Sequence, residues 1–512
     1  MNSHLTLVLQ SLLNHPIVVR QQRRQLLQAF WIIVTVLFLF ELYTLQTRSL
    51  ASIAGAILIA IAALVPAYLW CSGKALGLPI FPLFALTYLW THAIPLVSNH
   101  PKVILYSPQE HLFASVTVAG FLGLATLIWF NFVKTSPPLP PAYRAFNEQS
   151  GNKFFLSVLA AGVLFNMYSL GGWFFLDGGL FSLIRSAILG LNVLAVFTLS
   201  FNAGVGKYSK RMNRLFFALL ALYMMTSAAS LLLVGATSIF LIATVAFILG
   251  SRRMPVLPII IVVICLSLLH YGKAEMRAKY WFGSQNRFVQ PWEYPGWYAE
   301  WVGYSLEYYK NQRASSQSGA SPQSEERASF LQRSSVIHIL LLAQRKTPTT
   351  VPYLQGKTYM ILPQLIVPRF LNPNKIRSHE GTYILNIHYD LQTREATFTT
   401  TIGWGLLAES YANFGLLGCA GLAIFLGAFY GKATSWSLHT PLISSRSLFS
   451  VLLMSCAFQT EWSAGVYFAA LFQATMVLVV INFVFMKVYK IKDCLDIKRD
   501  NKSLNHSSQE WS

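Results

Sequence analysis

Residues 51–70 read ASIAGAILIAIAALVPAYLW and contain no charged side chain. At a rise of 1.5 Å per residue, about 20 apolar residues in a helix cross roughly 30 Å of hydrocarbon. Similar runs recur along the chain, which is 54% hydrophobic and 11% charged, whereas a soluble domain is about 25% charged. The sequence therefore predicts an all-α polytopic membrane protein.

About twelve runs of this kind divide the chain. The least marked division is at Ser227 to Ser230, inside one long apolar stretch. We predict a bundle of about nine helices in residues 1–270, a large outer segment in 271–401, further transmembrane helices in 402–490 and a tail in 491–512. The predicted spans are 29–45, 51–70, 80–97, 112–133, 154–175, 180–201, 214–230, 232–250, 255–270, 402–430, 446–460 and 464–486.

Lysine and arginine are distributed unevenly between the two sides of these spans. With the N-terminus inside, the cytoplasmic segments hold 21 of them and the short outer loops hold two, Arg48 and Lys102. Short basic loops remain in the cytoplasm, so both termini are expected inside and the large segment outside. The formal net charge of +20 then reflects attraction to anionic lipid rather than binding of nucleic acid.

The outer segment has three parts. Residues 271–309 are rich in tryptophan and tyrosine, which suits either anchors at the headgroup level or platforms for sugar rings. Residues 311–326 are Ser/Gln-rich and predict a flexible tether. From 327 to 344, Phe330, Ile337, Leu340 and Leu341 share one helical face and Arg333 points away, which predicts a helix on the outer leaflet.

A surplus of positive charge marks the outer segment. Residues 271–400 hold 15 Lys/Arg and 9 Asp/Glu. The orientation of the chain in the membrane does not require this excess of positive charge on the outer side. A pyrophosphate headgroup would account for it, because arginine binds phosphate oxygens in pairs, and Arg369, Lys375 and Arg377 are the first candidates. The alternative is a solvated basic loop or contact with anionic lipid. The segment contains no cysteine, so it has neither a disulfide nor a thiolate metal site.

Six ionisable residues fall within predicted spans or at their outer ends. Charges at this depth are costly and usually mark function, so they predict a polar cavity that opens outward. For three of them, a side chain that merely reaches to the interface is the favoured account. The residues are Arg185, His92 and Glu409, with Glu41, His270 and Glu461 as the three near the interface.

Four stretches together resemble a known family. Residues 399–431 read TTTIGWGLLAESYANFGLLGCAGLAIFLGAFYG, and LPIFPLFALTYLW from Leu78, TPTTVPYLQGKTY from Thr347 and LIVPRFLNPNK from Leu365 accompany them. This pattern is similar to that of Wzy-type oligosaccharide repeat-unit polymerases, which are relatives of the O-antigen ligases. The likeness is best over about 90 residues from Arg345.

The resemblance implies a GT-C-like multi-span enzyme of the bacterial inner membrane with one large periplasmic loop. Such enzymes transfer a glycan chain from undecaprenyl pyrophosphate to a second lipid-linked repeat, without metal or cofactor. A chain-length regulator and a flippase are possible partners. A ligase-like glycan transferase uses the same chemistry and stays open, as does a polysaccharide or lipid-glycan transporter.

The reaction needs cations on the leaving pyrophosphate and a base for the acceptor hydroxyl. The base predicted first is Glu409, with His379, His388 and Asp390 as substitutes and Glu380 to orient a histidine. The alternative for Glu409 is a structural hydrogen bond to Tyr411 or Asn413. The predicted pyrophosphate ligands are Arg369, Arg377, Lys375, Arg345, Arg333 and Arg185, and no metal ligand is predicted.

Overall fold

The computed structural model describes residues 20–173, 175–176, 178–281, 288–318, 335–367, 372, 375–398 and 400–490. Within these ranges the regular secondary structure is almost all helix, with two short strands. Ten helices are long and apolar enough to cross a membrane. The prediction of an all-α polytopic membrane protein is confirmed at that level.

The helices preceding the outer segment are α1 (Arg20–Thr44), α2 (Leu50–Cys71), α3 (Ile80–Val97), α4 (Pro108–Val133), α5 (Glu148–Gly171), α6 (Gly178–Val205), α7 (Lys210–Ala228), α8 (Leu233–Ser251) and α9 (Val256–Tyr280). Next come α10 (Tyr294–Ser318), α11 (Ile337–Lys346), α12 (Leu362–Ile366) and α13 (Glu380–His388). The chain continues with α14 (Gly405–Ser437), α15 (Ser445–Ala457) and α16 (Ala464–Val484). Two short strands are described, β1 (Ala142–Ala145) and β2 (Lys487–Lys490).

A helix lies at each of the twelve apolar runs, and the break inside residues 214–250 falls where it was predicted. There α7 ends at Ala228 and α8 begins at Leu233. Two of the twelve helices are not among the ten spanning candidates: α7, whose first turns carry Lys210, Arg211 and Arg214, and α15, which has only 13 residues. Serine hydroxyls accept the first free N–H groups of α2, α4, α7 and α15, which fixes where these helices start.

The core of the bundle lies around α4 and α14, which pack along each other, while α2 packs on α4, and α6 on both α5 and α8. Glycines allow the last pair to approach closely. A Cβ at Gly250 would lie 2.3 Å from the Phe201 carbonyl oxygen, and one at Gly204 would lie 2.5 Å from that of Phe247. Helices in lipid associate through such small residues, because burial of apolar surface does not drive them together there.

The aromatic stretch forms a helical hairpin instead of a loop. α9 continues past the predicted end at residue 270 to Tyr280, and α10 returns along it. Trp301 is fully buried between the two helices and donates from Nε1 to the Leu269 carbonyl oxygen (2.7 Å). Lys279 and Glu300 pair across the hairpin (2.6 Å). Several of these aromatics therefore hold the hairpin together, while Trp292 remains 74% exposed.

α11 begins at Ile337 and lies inside the protein, not on the leaflet surface. Leu340 and Leu341 are buried, and the helix packs between α4 and α14. The chain enters it through a hydrogen bond from Val336 N to the Thr91 carbonyl oxygen (2.9 Å), within a π-helical turn of α3. The predicted tether, 311–326, and residues 327–334 of the predicted helix, which include Phe330 and Arg333, fall largely outside the described residues.

Candidate functional site

Gly415 interrupts α14. Its φ of 63° and ψ of −145° are not helical, and a Cβ there would lie 2.8 Å from the Tyr353 hydroxyl. Only glycine takes such a conformation without a steric penalty. Residues 405–413, the turns before the break, are buried throughout. The break ends one buried half-helix, so the last carbonyl groups of that half-helix can accept hydrogen bonds from outside it.

A loop from the outer segment takes up these carbonyl groups. Leu354 N donates to the Ala412 carbonyl oxygen and Gln355 N to that of Asn413, both at 3.1 Å. The Asn413 side chain adds three bonds, accepting from Gly356 N (3.0 Å) and donating to the Thr358 hydroxyl (2.9 Å) and the Glu409 carbonyl oxygen (2.8 Å). The loop is therefore fixed to the half-helix by backbone and side-chain bonds together.

Glu409 lies one turn before Asn413 and is completely buried. Its Oε2 accepts from Ala464 N at 2.6 Å, which is the first N–H of α16. A carboxylate is favoured there by the positive end of the helix. The Thr358 hydroxyl is adjacent to the same carboxyl, but Oε1 has no partner with hydrogen-bond geometry among the described residues. The partner of the carboxyl is neither Tyr411 nor Asn413, the two that the sequence suggested.

The start of α13 covers the start of α16. Thr382 Oγ1 donates to Ser463 Oγ at 2.8 Å, immediately before α16. A Cβ at Gly465 would lie 2.9 Å from the Ser378 carbonyl oxygen. On its other side, Gly381 lies against Thr358 and the fixed loop. Two helix N-termini thus meet above the buried carboxyl group.

His379 stands at this junction, immediately before α13, and is exposed, as is Arg377. The surrounding protein lowers the pKa of His379 from its usual 6.5 by partial burial. Its ring lies 6.3 Å from that of Tyr383. Glu380 does not orient the histidine, because its Oε1 pairs with Arg394 Nη1 at 2.9 Å.

His388 and Asp390 form a separate group at the far end of α13. His388 is nine positions from His379, about 13 Å along a helix, and its Nε2 donates to the Pro352 carbonyl oxygen (2.9 Å). Asp390 is exposed and lies 3.7 Å from Lys346 Nζ. The four predicted catalytic residues therefore occupy three places: a buried one, the α13 start and the α13 end.

Arg345 is already paired. Its guanidinium makes two bonds to the Glu110 carboxylate (2.6 and 2.7 Å), one to the Leu105 carbonyl oxygen (3.0 Å), and lies 3.9 Å from the Tyr106 ring centre. This pair joins the end of α11 to the start of α4. The structure thus gives Arg345 a role in holding these helices, which the sequence did not suggest.

The other predicted cations are dispersed. Lys375 donates to the Leu365 carbonyl oxygen at 2.6 Å, and Arg185 is exposed on α6. Arg369 lies outside the described residues, as does Arg333. Of the six buried or interfacial ionisable residues, Glu41 and His270 lie on the peripheral helices α1 and α9.

Lys357 is a candidate that sequence reasoning did not single out. It is exposed in the fixed loop, next to Thr358 and hence beside the start of α13. The sequence feature that could have indicated Lys357 is its position after Gly356 in the TPTTVPYLQGKTY stretch.

Within the described residues, no group of three His, Cys, Asp or Glu side chains is arranged to hold a metal ion.

Comparison with known proteins gives no relative. No family model matches the chain, and neither a curated protein nor a solved structure is significantly similar to it.

Proposed function

We propose that this protein is a membrane glycosyltransferase that extends lipid-linked glycans, moving a chain from undecaprenyl pyrophosphate onto a second lipid-linked repeat. The arrangement of Lys357, Arg377 and His379 above the buried Glu409 carries the proposal. Two of the four stretches that resemble Wzy-type polymerases, 347–359 and 399–431, contribute to the same region. The products would be an O-antigen, capsule or exopolysaccharide.

The proposed topology has twelve spans in the bacterial inner membrane, with both termini cytoplasmic and residues 271–401 periplasmic. The ratio of 21 to 2 in lysine and arginine supports it. In this orientation the junction of α13 and α16 faces the periplasm. Lipid-linked substrates would then reach it from the outer leaflet.

The chemistry requires one bond to form as another breaks. The acceptor hydroxyl oxygen attacks the anomeric carbon of the donor, and the bond from that carbon to pyrophosphate breaks with its electron pair leaving on the phosphate. Cations stabilise the charge that develops there, a role we assign to Arg377 and Lys357, with Arg369 as a further candidate. Arg345 is a weaker candidate because Glu110 already neutralises it.

The proton of the acceptor hydroxyl needs a base within hydrogen-bond reach. His379 meets this condition best, because it is exposed beside Arg377 and its lowered pKa keeps the ring neutral near pH 7. Glu409 is fully buried and cannot contact a hydroxyl in this conformation. We therefore assign Glu409 to positioning: it joins the half-helix that holds the loop of Lys357 to the start of α16.

A transporter of lipid-linked glycans is the second candidate. The break in α14 favours it, since transporters build their binding sites from interrupted helices. The break here, however, holds a loop of the outer segment through the Ala412 and Asn413 carbonyl groups. The break thus serves to attach this loop, and a binding site for a transported substrate is not needed to explain it.

Deletion of the gene separates these functions. If the protein is a polymerase, single repeats on undecaprenyl pyrophosphate accumulate at the periplasmic face and long glycans disappear. Repeats retained at the cytoplasmic face would indicate transport instead. Long chains that remain on the lipid without reaching their final acceptor would indicate a ligase.

A further inference from the structure

A two-stranded ribbon lies at the end of the chain that the structure describes. β1 and β2 run antiparallel, with Arg144 opposite Val488 and Tyr143 opposite Tyr489. Side chains directly opposite each other point to the same face. Tyr143 is buried against the Tyr489 ring (5.6 Å between centres). The other face therefore carries Arg144, Val488 and Lys490.

This outward face borders the surface that lipid covers. The Arg144 guanidinium lies 4.7 Å from the ring centre of Phe483, and its Nη1 donates to the Asn482 carbonyl oxygen at 3.2 Å. Both contacts are in the last turn of α16, a helix long enough to span the membrane. The Phe483 side chain is 68% exposed. A cation beside an exposed ring at the end of a span lies at the depth of the headgroups.

Among the residues that the structure describes, the positive charges here have no acidic counterpart. Lys487 and Lys490 are exposed, and none of the ion pairs among the described residues includes either of them. Residues 134–147, 432–446 and 485–490, which form the ribbon and its neighbours, contain no Asp or Glu. Anionic lipid attracts basic groups at this depth, within about a Debye length of 8 Å.

We propose that Arg144 and Lys490 bind the phosphate of an anionic phospholipid, while Val488 and Phe483 contact the upper part of its acyl chains. Lys487 is opposite Ala145 and therefore lies on the face of Tyr143, away from this site. The guanidinium retains N–H groups beyond the one used on Asn482, and arginine binds phosphate oxygens in pairs. In the proposed topology this is an inner-leaflet lipid. The site does not depend on the proposed function, because it lies on the opposite side of the membrane from the glycan site.

The test uses the full-length protein in detergent, titrated with phosphatidylglycerol or phosphatidylcholine and examined by native mass spectrometry. Lys490→Gln removes one charge from the proposed site. Lys487→Gln removes one exposed charge from the opposite face of the same ribbon and serves as the matched control. A cation beside the bound anionic headgroup contributes roughly fivefold to its binding. The Lys490→Gln variant should therefore lose about fivefold in its preference for phosphatidylglycerol, and the control less than about twofold.

Equal losses in the two variants would overturn the proposal, because the effect would then be one of overall charge. An unchanged preference in the Lys490→Gln variant would also overturn it, and would leave Lys490 as a residue that keeps an edge strand from pairing. Lys490→Arg keeps the charge and must keep the preference. A loss in that variant contradicts the proposal even if the glutamine variant unfolds.

Discussion

At the scale of single residues, the carboxyl group of Glu409 connects parts of the chain that are far apart in sequence. It belongs to the half-helix before Gly415 and accepts from Ala464 N, 55 positions later. The adjacent Thr358 belongs to the loop that carries Lys357. Loss of this one group should therefore affect both the stability of the fold and the geometry of the site above it.

Glu409→Ala should lower the stability of the protein, because it leaves the partly buried N–H of Ala464 without its acceptor, at a cost of about 1 kcal/mol. Glu409→Gln keeps an accepting oxygen and should remain close to wild type in thermal unfolding in detergent. It should also keep glycan elongation if Glu409 is a positioning residue. Loss of elongation in a well-folded Glu409→Gln protein would instead identify the carboxylate as the base.

The pH dependence of elongation reports on His379. Because partial burial lowers its pKa from 6.5, the neutral ring that accepts a proton persists to lower pH. The rate should fall only as the pH drops through that lowered pKa, so the midpoint of the acid limb should lie below 6.5. His379→Gln should abolish elongation with little change in folding, since the side chain is exposed. A His379→Gln protein that elongates normally would exclude the residue as the base.

Arg345 allows a further test at this scale. If it acts by joining α11 to α4, then Glu110→Gln should reproduce the effect of Arg345→Ala, because either change breaks the same pair. The pair is partly exposed, so its coupling energy in a double-mutant cycle should be no more than about 1 kcal/mol. A cation that binds pyrophosphate would behave differently: Arg345→Ala would abolish elongation and Glu110→Gln would not. Gel analysis of glycan length measures both variants.

The sequence predicted which residues are buried better than it predicted their partners. Glu409 was expected inside a span because its neighbours are apolar, and it is there. Its partner Ala464 N could not be predicted, since the contact depends on how two helices from distant parts of the chain meet. Lys357 was overlooked for the same reason: the bonds that fix its loop come from Asn413.

At the scale of elements, the break in α14 decides where the outer segment attaches. Gly415→Ala should be costly, because a residue with a Cβ pays about 1–3 kcal/mol at a φ of 63° and a ψ of −145° and would meet the Tyr353 hydroxyl at 2.8 Å. Gly421→Ala is the matched control in the same helix, where an added Cβ meets nothing within 4 Å. That change should be neutral or stabilising by about 1 kcal/mol. Similar unfolding temperatures for the two variants would show that the break is not required.

Helix positions followed from the apolar runs, whereas two features of the helices did not. The run 402–430 predicted one continuous span, because a glycine within an apolar stretch is common and does not by itself indicate a break. α9 was predicted to end at 270, where polar residues begin. It continues to Tyr280 because α10 packs against it and buries Gly272 and Met276, a contact that hydropathy does not report.

At the scale of the whole molecule, the distribution of charge and the attachment of the outer segment support one arrangement. The basic ends of the helices, including the ribbon of β1 and β2, would face the cytoplasm, and the junction of α13 with α16 would face outward. Composition was enough to predict a helical membrane protein. The position of the site required the three-dimensional contacts, because its residues come from the outer segment and from two separate helices.

The most direct measurement is elongation by the purified protein. Lipid-linked repeats extracted from a deletion strain would be incubated with the wild-type protein and with His379→Gln in detergent, and the products separated by glycan length. The account predicts a ladder of longer lipid-linked chains with the wild type and single repeats with the variant. Single repeats in both reactions, with a protein shown to be folded, would contradict it.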